Sequence, residues 1–163
     1  MIVVSNTSPL TNLASVGLFD LLRRSYSQIN IPERVWDELN AMGKAWPGSQ
    51  EAAASDWIHR HIVKNRFLVR ALRRDIDRGE AESIVLALEL GADMILPDEK
   101  EGRNTARRMK LKPVGVIGVL LEAKKKGLLN SVRPHLDSLR QIAGFWIEES
   151  LYRHALELAG ENK

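Results

Sequence analysis

Four short stretches of the chain place polar or acidic residues where a predicted strand or helix begins or ends. They are Ser-Asn-Thr-Ser at 5–8, Trp-Asp-Glu at 36–38, Gly-Glu-Ala-Glu at 79–82 and Pro-Asp-Glu at 97–99. Carboxylates gathered at the carboxyl ends of parallel strands form a hard-oxygen site, which suits Mg²⁺ or Mn²⁺ held against phosphate. These residues therefore predict, first, a metal-dependent phosphodiesterase.

The elements that must position these residues alternate between strand and helix. Short apolar or alternating runs predict strands at 2–4, 28–31, 57–63, 94–96 and 113–116, with 57–63 at a sheet edge. Helical spacing predicts two helices around Gly17, the first with Ser8 as its cap and Pro9 at its first position, and a third after Pro32. Further helices are predicted at 81–90, 99–109, 117–126, 132–142 and 148–159. The segment 40–55 is predicted to be a loop with a short helix.

This alternation predicts a three-layer α/β/α fold with a central, mainly parallel sheet of four or five strands. Open sheets of this kind bind ligands beyond the carboxyl ends of their strands. Asn6 and Asp98 both fall at such ends. The length of 163 residues suits a single domain over 1–163, with the C-terminal helix 148–160 as a packing extension or an interface.

Composition restricts the kind of site and the compartment. The chain has no cysteine, so a metal must be held by oxygen or imidazole ligands, and a reducing cytoplasm is expected. No apolar run approaches the roughly 20 residues of a membrane span, so no membrane association is expected. The net charge of +3 permits contact with nucleic acid without establishing it. Basic residues cluster in segments 60–74 and 103–112, which would guide a phosphate backbone if both flank the acidic site.

Several motifs, taken in order, resemble the PIN-domain family, and most closely its VapC-like branch in bacteria and archaea. They are the opening Val-Val-Ser-Asn-Thr-Ser-Pro-Leu, Ile-Pro-x-x-Val-x-x-Glu-Leu at 31–39, Gly-Glu-Ala-Glu at 79–82, Pro-Asp-Glu with the following Gly-Arg at 102–103, Gly-Val-Ile-Gly-Val-Leu at 115–120 and Lys-x-x-Gly-Leu at 124–128. The resemblance covers residues 2 to about 145 and implies the PIN fold. It also implies an Mg²⁺- or Mn²⁺-dependent ribonuclease, commonly the toxin of a toxin–antitoxin pair, which acts on RNA, forms a homodimer and binds a small antitoxin protein.

The resemblance also implies which residues act. Its metal ligands would be Asn6, Glu38, Glu80, Asp98 and Glu99, and its catalytic residues Glu38, Glu80 and Asp98. Glu82 would support these ligands. The chain departs from the wider PIN pattern at Asn6, where that pattern has aspartate. An asparagine offers one carbonyl oxygen without charge, so metal affinity should fall, although three carboxylates still suffice for one Mg²⁺ that retains several waters.

The proposed chemistry assigns a role to each neighbouring group. A bound metal would lower the pKa of a water and neutralise charge on the scissile phosphate, while Glu80 or Asp98 orients that water as base. Thr7 and Ser8 would donate hydrogen bonds to a phosphate oxygen, and Arg103 would contact the substrate phosphate or pair with Glu99.

Other interpretations remain open at the level of sequence. The chain is alternatively a PIN-fold module that binds RNA or protein without cleaving it, because of Asn6, or a receiver-like fold in which Asp98 accepts a phosphoryl group. Glu80, Glu82 and Asp98 are also typical of residues that stabilise helix N-termini. His59 and His61 share a strand face and are candidate metal ligands, although such pairs are more often ordinary surface residues. Some of five aromatic residues would form a dimer contact or receive an antitoxin segment: Trp46, Trp57, Phe145, Trp146 and Tyr152.

Overall fold

Four parallel strands form the central sheet. The computed structural model of the protein describes residues 1–98 and 100–161. Its strands are β1 (Val3–Ser5), β2 (Ile29–Pro32), β3 (Ile58–His61) and β4 (Met94–Leu96), in the spatial order β3-β2-β1-β4. The chain builds outward from β1 through β2 to β3 and then places β4 on the other side of β1. The strand order therefore reverses between β1 and β4, which is where open α/β sheets bind ligands.

The sheet is covered on both faces, as the prediction of three layers requires. Val3, Met94 and Leu96 pack into the larger of two apolar clusters, whereas Val4 and Ile95 pack into the smaller one. Successive side chains of a strand point to opposite faces, so the neighbouring strands β1 and β4 contribute to both cores. This explains why β1 and β4 are continuous apolar runs, whereas β2 and β3, which pack only into the larger cluster, alternate. The predicted α/β fold with a parallel sheet of four strands is confirmed.

Ten helices are present in the described part of the chain. The first five are α1 (Thr7–Ser15), α2 (Phe19–Tyr26), α3 (Glu33–Ala41), α4 (Ser49–Ala53) and α5 (Arg66–Leu72). The others are α6 (Arg78–Leu90), α7 (Lys100–Arg108), α8 (Val116–Lys125), α9 (Arg133–Gln141) and α10 (Glu149–Leu158). Helix α6 is buried continuously from Gly79 to Ala87, and Gly91 ends it in a left-handed conformation with φ 62°. Among the described residues, no helix is long and apolar enough to cross a bilayer.

Two predictions about elements were wrong, and one helix was missed. Helix α1 begins at Thr7 with Asn6 as its cap, so Ser8 lies inside the helix instead of capping it. The predicted strand at 113–116 is reduced to one bridge between Pro113 and Ile95, because Val116 already begins α8. Helix α5 was not predicted. It covers the middle of the first basic segment, and its only fully buried residue is Val69.

The five aromatic residues separate into core and surface. Trp57 is buried against Phe19, with ring centroids 5.2 Å apart. Tyr152 is also buried, and its hydroxyl donates to Asp137 Oδ1 at 2.6 Å, which fastens α10 to α9. Trp46 and Trp146 are exposed. Two of the five, Trp57 and Tyr152, therefore serve as core residues within this chain.

Candidate active site

Asn6 and Glu38 approach each other over Gly79. The backbone N–H of Asn6 donates to the carbonyl of Leu96 at 3.0 Å and so extends the pairing of β1 with β4. Its side chain is 2 % exposed, and within the described residues nothing donates a hydrogen bond to its Oδ1. A methyl group at position 79 would collide with Glu38 Oε1 and would lie 3.1 Å from Asn6 Oδ1. Glycine at position 79 thus allows two oxygen donors from different elements to meet.

Glu38 is held in place from two sides. The Thr7 hydroxyl donates to Glu38 Oε1 at 2.8 Å, and Arg34 Nε lies 3.9 Å from Glu38 Oε2. Both contacts come from helix geometry, because Thr7 begins α1 and Arg34 precedes Glu38 by one turn of α3. Thr7 was predicted to donate a hydrogen bond to a substrate phosphate. In this structure its hydroxyl donates to the Glu38 carboxylate.

Glu80 and Asp98 form a second pair beside the first. Glu80 is 1 % exposed, and its Oε1 accepts a hydrogen bond from the Asp98 backbone N–H at 2.6 Å. The Glu80 backbone N–H in turn donates to Asp77 Oδ1 at 2.8 Å, which caps α6. A methyl group at residue 102 would lie 2.5 Å from Glu80 Oε2, so Gly102 makes room for the Glu80 carboxylate as Gly79 does for Glu38.

The environment of Asp98 favours the protonated form of its carboxyl. Although much of the residue remains open to solvent, partial burial of the carboxyl raises its pKa above the ordinary value. A hydrogen bond from Ser8 opposes this shift, and the nearby charge of Asp77 reinforces it. A carboxylate that is partly desolvated and still accessible is a suitable proton acceptor for a water molecule.

Of the remaining predicted residues, Glu82 contacts groups outside the candidate site and Glu99 lies outside the described residues. Glu82 is 3 % exposed, but its Oε2 accepts hydrogen bonds from Arg66 and Arg78, each at 3.1 Å. Residues two apart on a helix point about 200° apart, so the Glu82 side chain leaves α6 in a different direction from Glu80. Arg103 is exposed and lines a groove together with Asp98 and Ser8.

The predicted site residues meet in two separate contacts, Asn6 with Glu38 and Glu80 with the Asp98 backbone, and not as one preformed cage. Among the described residues, no group of three or more aspartate, glutamate or histidine side chains is arranged to hold a metal ion. His59 and His61 belong to no such group in the described part of the chain. His61 Nε2 lies 2.8 Å from Asn30 Oδ1, so this ring is engaged with the neighbouring strand.

Sequence reasoning missed Arg34, Asp77 and the roles of the two glycines. A signal existed for Asp77, since an aspartate three residues before a glutamate is typical of a helix N-terminus. Arg34 also has the i, i+4 spacing of a helical ion pair with Glu38. The need for Gly79 and Gly102 depends on contacts between elements distant in sequence, so no local pattern indicates it.

Comparison with known proteins decides the family. A model of the PIN domain matches residues 2–161. The chain belongs to the PIN-domain family. PIN domains are typically nucleases that use divalent metal ions, so membership carries these general expectations to the site. No curated protein matches the chain significantly.

The oxygen donors of this PIN domain fit a hard divalent cation. Mg²⁺ usually retains several waters and takes only one or two protein carboxylates together with substrate phosphate, so a complete protein cage is unnecessary. Asn6 Oδ1 is buried beside Glu38, and no group in the described residues hydrogen-bonds to it, as expected of an oxygen that awaits a ligand. Asn6, Glu38, Glu80 and Asp98 are therefore the residues that would hold the ion.

Proposed function

We propose that this PIN domain is a divalent-metal-dependent endoribonuclease, with Mg²⁺ or Mn²⁺ held by Asn6, Glu38, Glu80 and Asp98. The observation that carries the proposal is the buried Asn6 Oδ1, which meets Glu38 over Gly79 and, among the described residues, accepts no hydrogen bond. A bound ion supplies charge neutralisation at the scissile phosphate and acidifies a water. Glu99, which is adjacent to Asp98 in sequence, remains a proposed further ligand.

The chain's own residues supply orientation and proton transfer. Asp98, whose carboxyl is accessible from the groove, is the proposed proton acceptor for the attacking water. Glu80 positions Asp98 through the backbone N–H of that residue. Arg103 binds the substrate phosphate through its guanidinium group, and Ser8 hydrogen-bonds to Asp98 to keep the carboxyl oriented.

The finer assignment is the toxin of a toxin–antitoxin pair, acting on RNA as a homodimer that a small antitoxin protein inhibits. The VapC-like motifs at 31–39, 79–82 and 115–120 support this part of the proposal. Expression of the chain in a bacterial host, with and without the open reading frame next to its gene, tests it. Growth arrest relieved by the neighbouring product is the expected result, and normal growth without that product would contradict toxicity.

One experiment separates the nuclease from a module that only binds RNA or protein. Cleavage of single-stranded and structured RNAs is measured with Mg²⁺ or Mn²⁺ for the wild type, Asn6→Asp and Asp98→Ala, with EDTA as control. We expect EDTA to abolish cleavage and Asp98→Ala to lower its rate roughly 10²- to 10⁴-fold. Asn6→Asp should lower the metal concentration needed, because it adds a charge to the ligand set.

A specific observation keeps the binding module as the second candidate. The first ligand is an uncharged asparagine, and the described residues contain no preformed group of three acidic or histidine ligands. If only Asn6→Asp cleaves RNA, the site lacks one charge and the natural chain is a binding module. If no variant cleaves any RNA while the wild type still binds it, the nuclease proposal fails.

A further inference from the structure

A groove of about 740 Å³ continues from the candidate active site along the surface of the protein. Its lining includes Asp98, Arg103 and Ser8, residues of the segment 145–151 and the start of α8. We call this the aromatic groove, because Phe145 and Trp146 line it. Its volume is within the range of sites that bind small organic groups. Asp98 belongs to both the groove and the candidate active site, so a substrate bound at one is adjacent to the other.

Trp146 presents an open ring in this groove. The residue is 80 % exposed, and it has no aromatic or cationic stacking partner within residues 1–98 and 100–161. The other three tryptophans are better covered, because Trp57 packs on Phe19, Trp36 lies beneath Arg60 at 4.4 Å and Trp46 is 40 % exposed. A large aromatic side chain that is exposed in the same groove as a candidate site residue indicates a binding surface more than a packing defect.

Arg103 is the group in the groove that suits the phosphate of a nucleotide. Arg103 is exposed, and within the described residues no carboxylate lies within ion-pair distance of it. Its planar guanidinium is suited to a phosphate group. Asn12 adds an amide that is able to hydrogen-bond to the polar edge of a base. The groove thus combines a cation, a hydrogen-bonding amide and an aromatic face, and its lining also includes the carboxylates of Asp98 and Glu148.

We propose that the aromatic groove binds the base of the nucleotide next to the scissile phosphate, with the base stacked on Trp146 and its phosphate bound by Arg103. This inference rests on the proposed nuclease function and adds to it a subsite formed by the C-terminal segment. An apolar peptide segment would cover the aromatic residues but would leave Arg103 without an anionic partner, so Arg103 favours the nucleotide. A base reaches this ring only when it is unstacked, so the subsite selects RNA with an unpaired nucleotide there.

The first test measures binding without cleavage. Fluorescence anisotropy with short labelled RNAs in EDTA compares the wild type, Trp146→Ala, Trp146→Tyr and, as a matched control, Trp46→Ala, since Trp46 is exposed outside the groove. We expect Trp146→Ala to weaken binding of single-stranded RNA roughly five- to hundredfold, as loss of one stacked base does. Trp146→Tyr should retain most of the affinity, and Trp46→Ala all of it. Equal affinity of Trp146→Ala and wild type would overturn the proposal.

A second measurement identifies the base as the bound group. A single abasic nucleotide is moved through the RNA one position at a time, and one position should lose affinity for the wild type but not for Trp146→Ala. Gly115→Leu provides an independent block, because Gly115 lines the groove, has an ordinary φ of −78° and in the described structure has open space where a Cβ would lie. Its effect should not add to that of Trp146→Ala, whereas additive losses would place the base elsewhere.

The two proposals fail in different ways. Base-dependent binding through Trp146 without metal-dependent cleavage would refute the nuclease and leave the subsite intact. Metal-dependent cleavage with the same rate and the same cut position in wild type and Trp146→Ala would refute the subsite and leave the nuclease intact. A fully paired RNA serves as the internal reference, since its binding should not respond to Trp146→Ala.

Discussion

Gly79 determines whether Asn6 and Glu38 can share one site. Alanine at this position is expected to disrupt the site, because its methyl group would collide with Glu38 Oε1 and lie 3.1 Å from Asn6 Oδ1. We expect Gly79→Ala to lower the free energy of unfolding by on the order of 1–3 kcal/mol, as overpacking does. Urea unfolding followed by circular dichroism measures this loss. RNA cleavage by the folded variant should fall as Glu38 is displaced.

A double-mutant cycle provides the control for this prediction. In the Glu38→Ala background the methyl group meets no carboxylate and keeps only the 3.1 Å contact with Asn6 Oδ1, so Gly79→Ala should cost clearly less, also because alanine has the higher helix propensity by about 1 kcal/mol. The same cost in both backgrounds would mean that Gly79 does not accommodate Glu38. That result would remove the main support for a shared oxygen site.

At the scale of elements, Glu82 joins helices α5 and α6 instead of supporting the metal ligands. Its buried carboxylate accepts hydrogen bonds from Arg66 and Arg78, whose side chains are half exposed. Either arginine alone still compensates the charge of Glu82. Each single change to alanine should therefore lower the free energy of unfolding by only about 1 kcal/mol. Removal of both leaves a buried charge without compensation, which typically costs about 3–5 kcal/mol.

The measurement is the free energy of unfolding of the two single variants and the double variant, each in the wild-type and the Glu82→Gln background. We expect the double variant to lose more than the two singles together in the wild-type background and to show additive losses in Glu82→Gln. As a matched control, Arg23→Ala removes an exposed pair with Asp20 and should change stability by less than about 1 kcal/mol. Additive losses of stability in both backgrounds would show that Arg66 and Arg78 do not share Glu82.

The sequence predicts the elements of this fold better than their ends. Strands β1, β2 and β4 follow from apolar runs, and the end of α6 follows from Gly91. The start of α1 was wrong because Ser8 and Pro9 are locally good start residues, whereas pairing of Asn6 with Leu96 already sets where β1 ends. Helix α5 was missed because its basic residues hide a weak apolar pattern, and its pairing with α6 depends on contacts distant in sequence.

The same reasoning explains what was predictable of the candidate site. Asn6 and Asp98 follow strands that pair directly, so the sequence predicts that they lie at one sheet edge. Their environments depend on contacts that no local pattern contains, such as the space left by Gly102 and the hydrogen bond from Ser8. Sequence therefore indicates the oxygen donors, and only the packing of α3, α6 and α7 indicates how they are paired.

On the scale of the whole molecule, Glu161 fastens three C-terminal helices together. Its carboxylate accepts hydrogen bonds from the backbone N–H groups of Val132 and Arg133 at the start of α9 and from Lys124 Nζ of α8. The residue itself follows α10, which contributes Leu151 to the aromatic groove. Partial burial of Glu161 favours its neutral form, but the hydrogen bonds from Lys124, Val132 and Arg133 outweigh this and lower its pKa below the ordinary 4.5.

This shift predicts how stability depends on pH. A carboxyl whose pKa is lower in the folded state than in the unfolded state stabilises the fold above the unfolded value, and the contribution is lost as pH falls through the folded value. Glu161→Gln should therefore melt below the wild type at pH 7, by roughly 2–4 °C per kcal/mol lost, and the gap should close as pH falls below 4.5. Thermal unfolding between pH 7 and pH 3 measures both effects. Glu157→Gln, an exposed change within α10, should show no such gap. A gap for Glu161→Gln that stays constant to low pH would exclude ionisation of Glu161 as its cause.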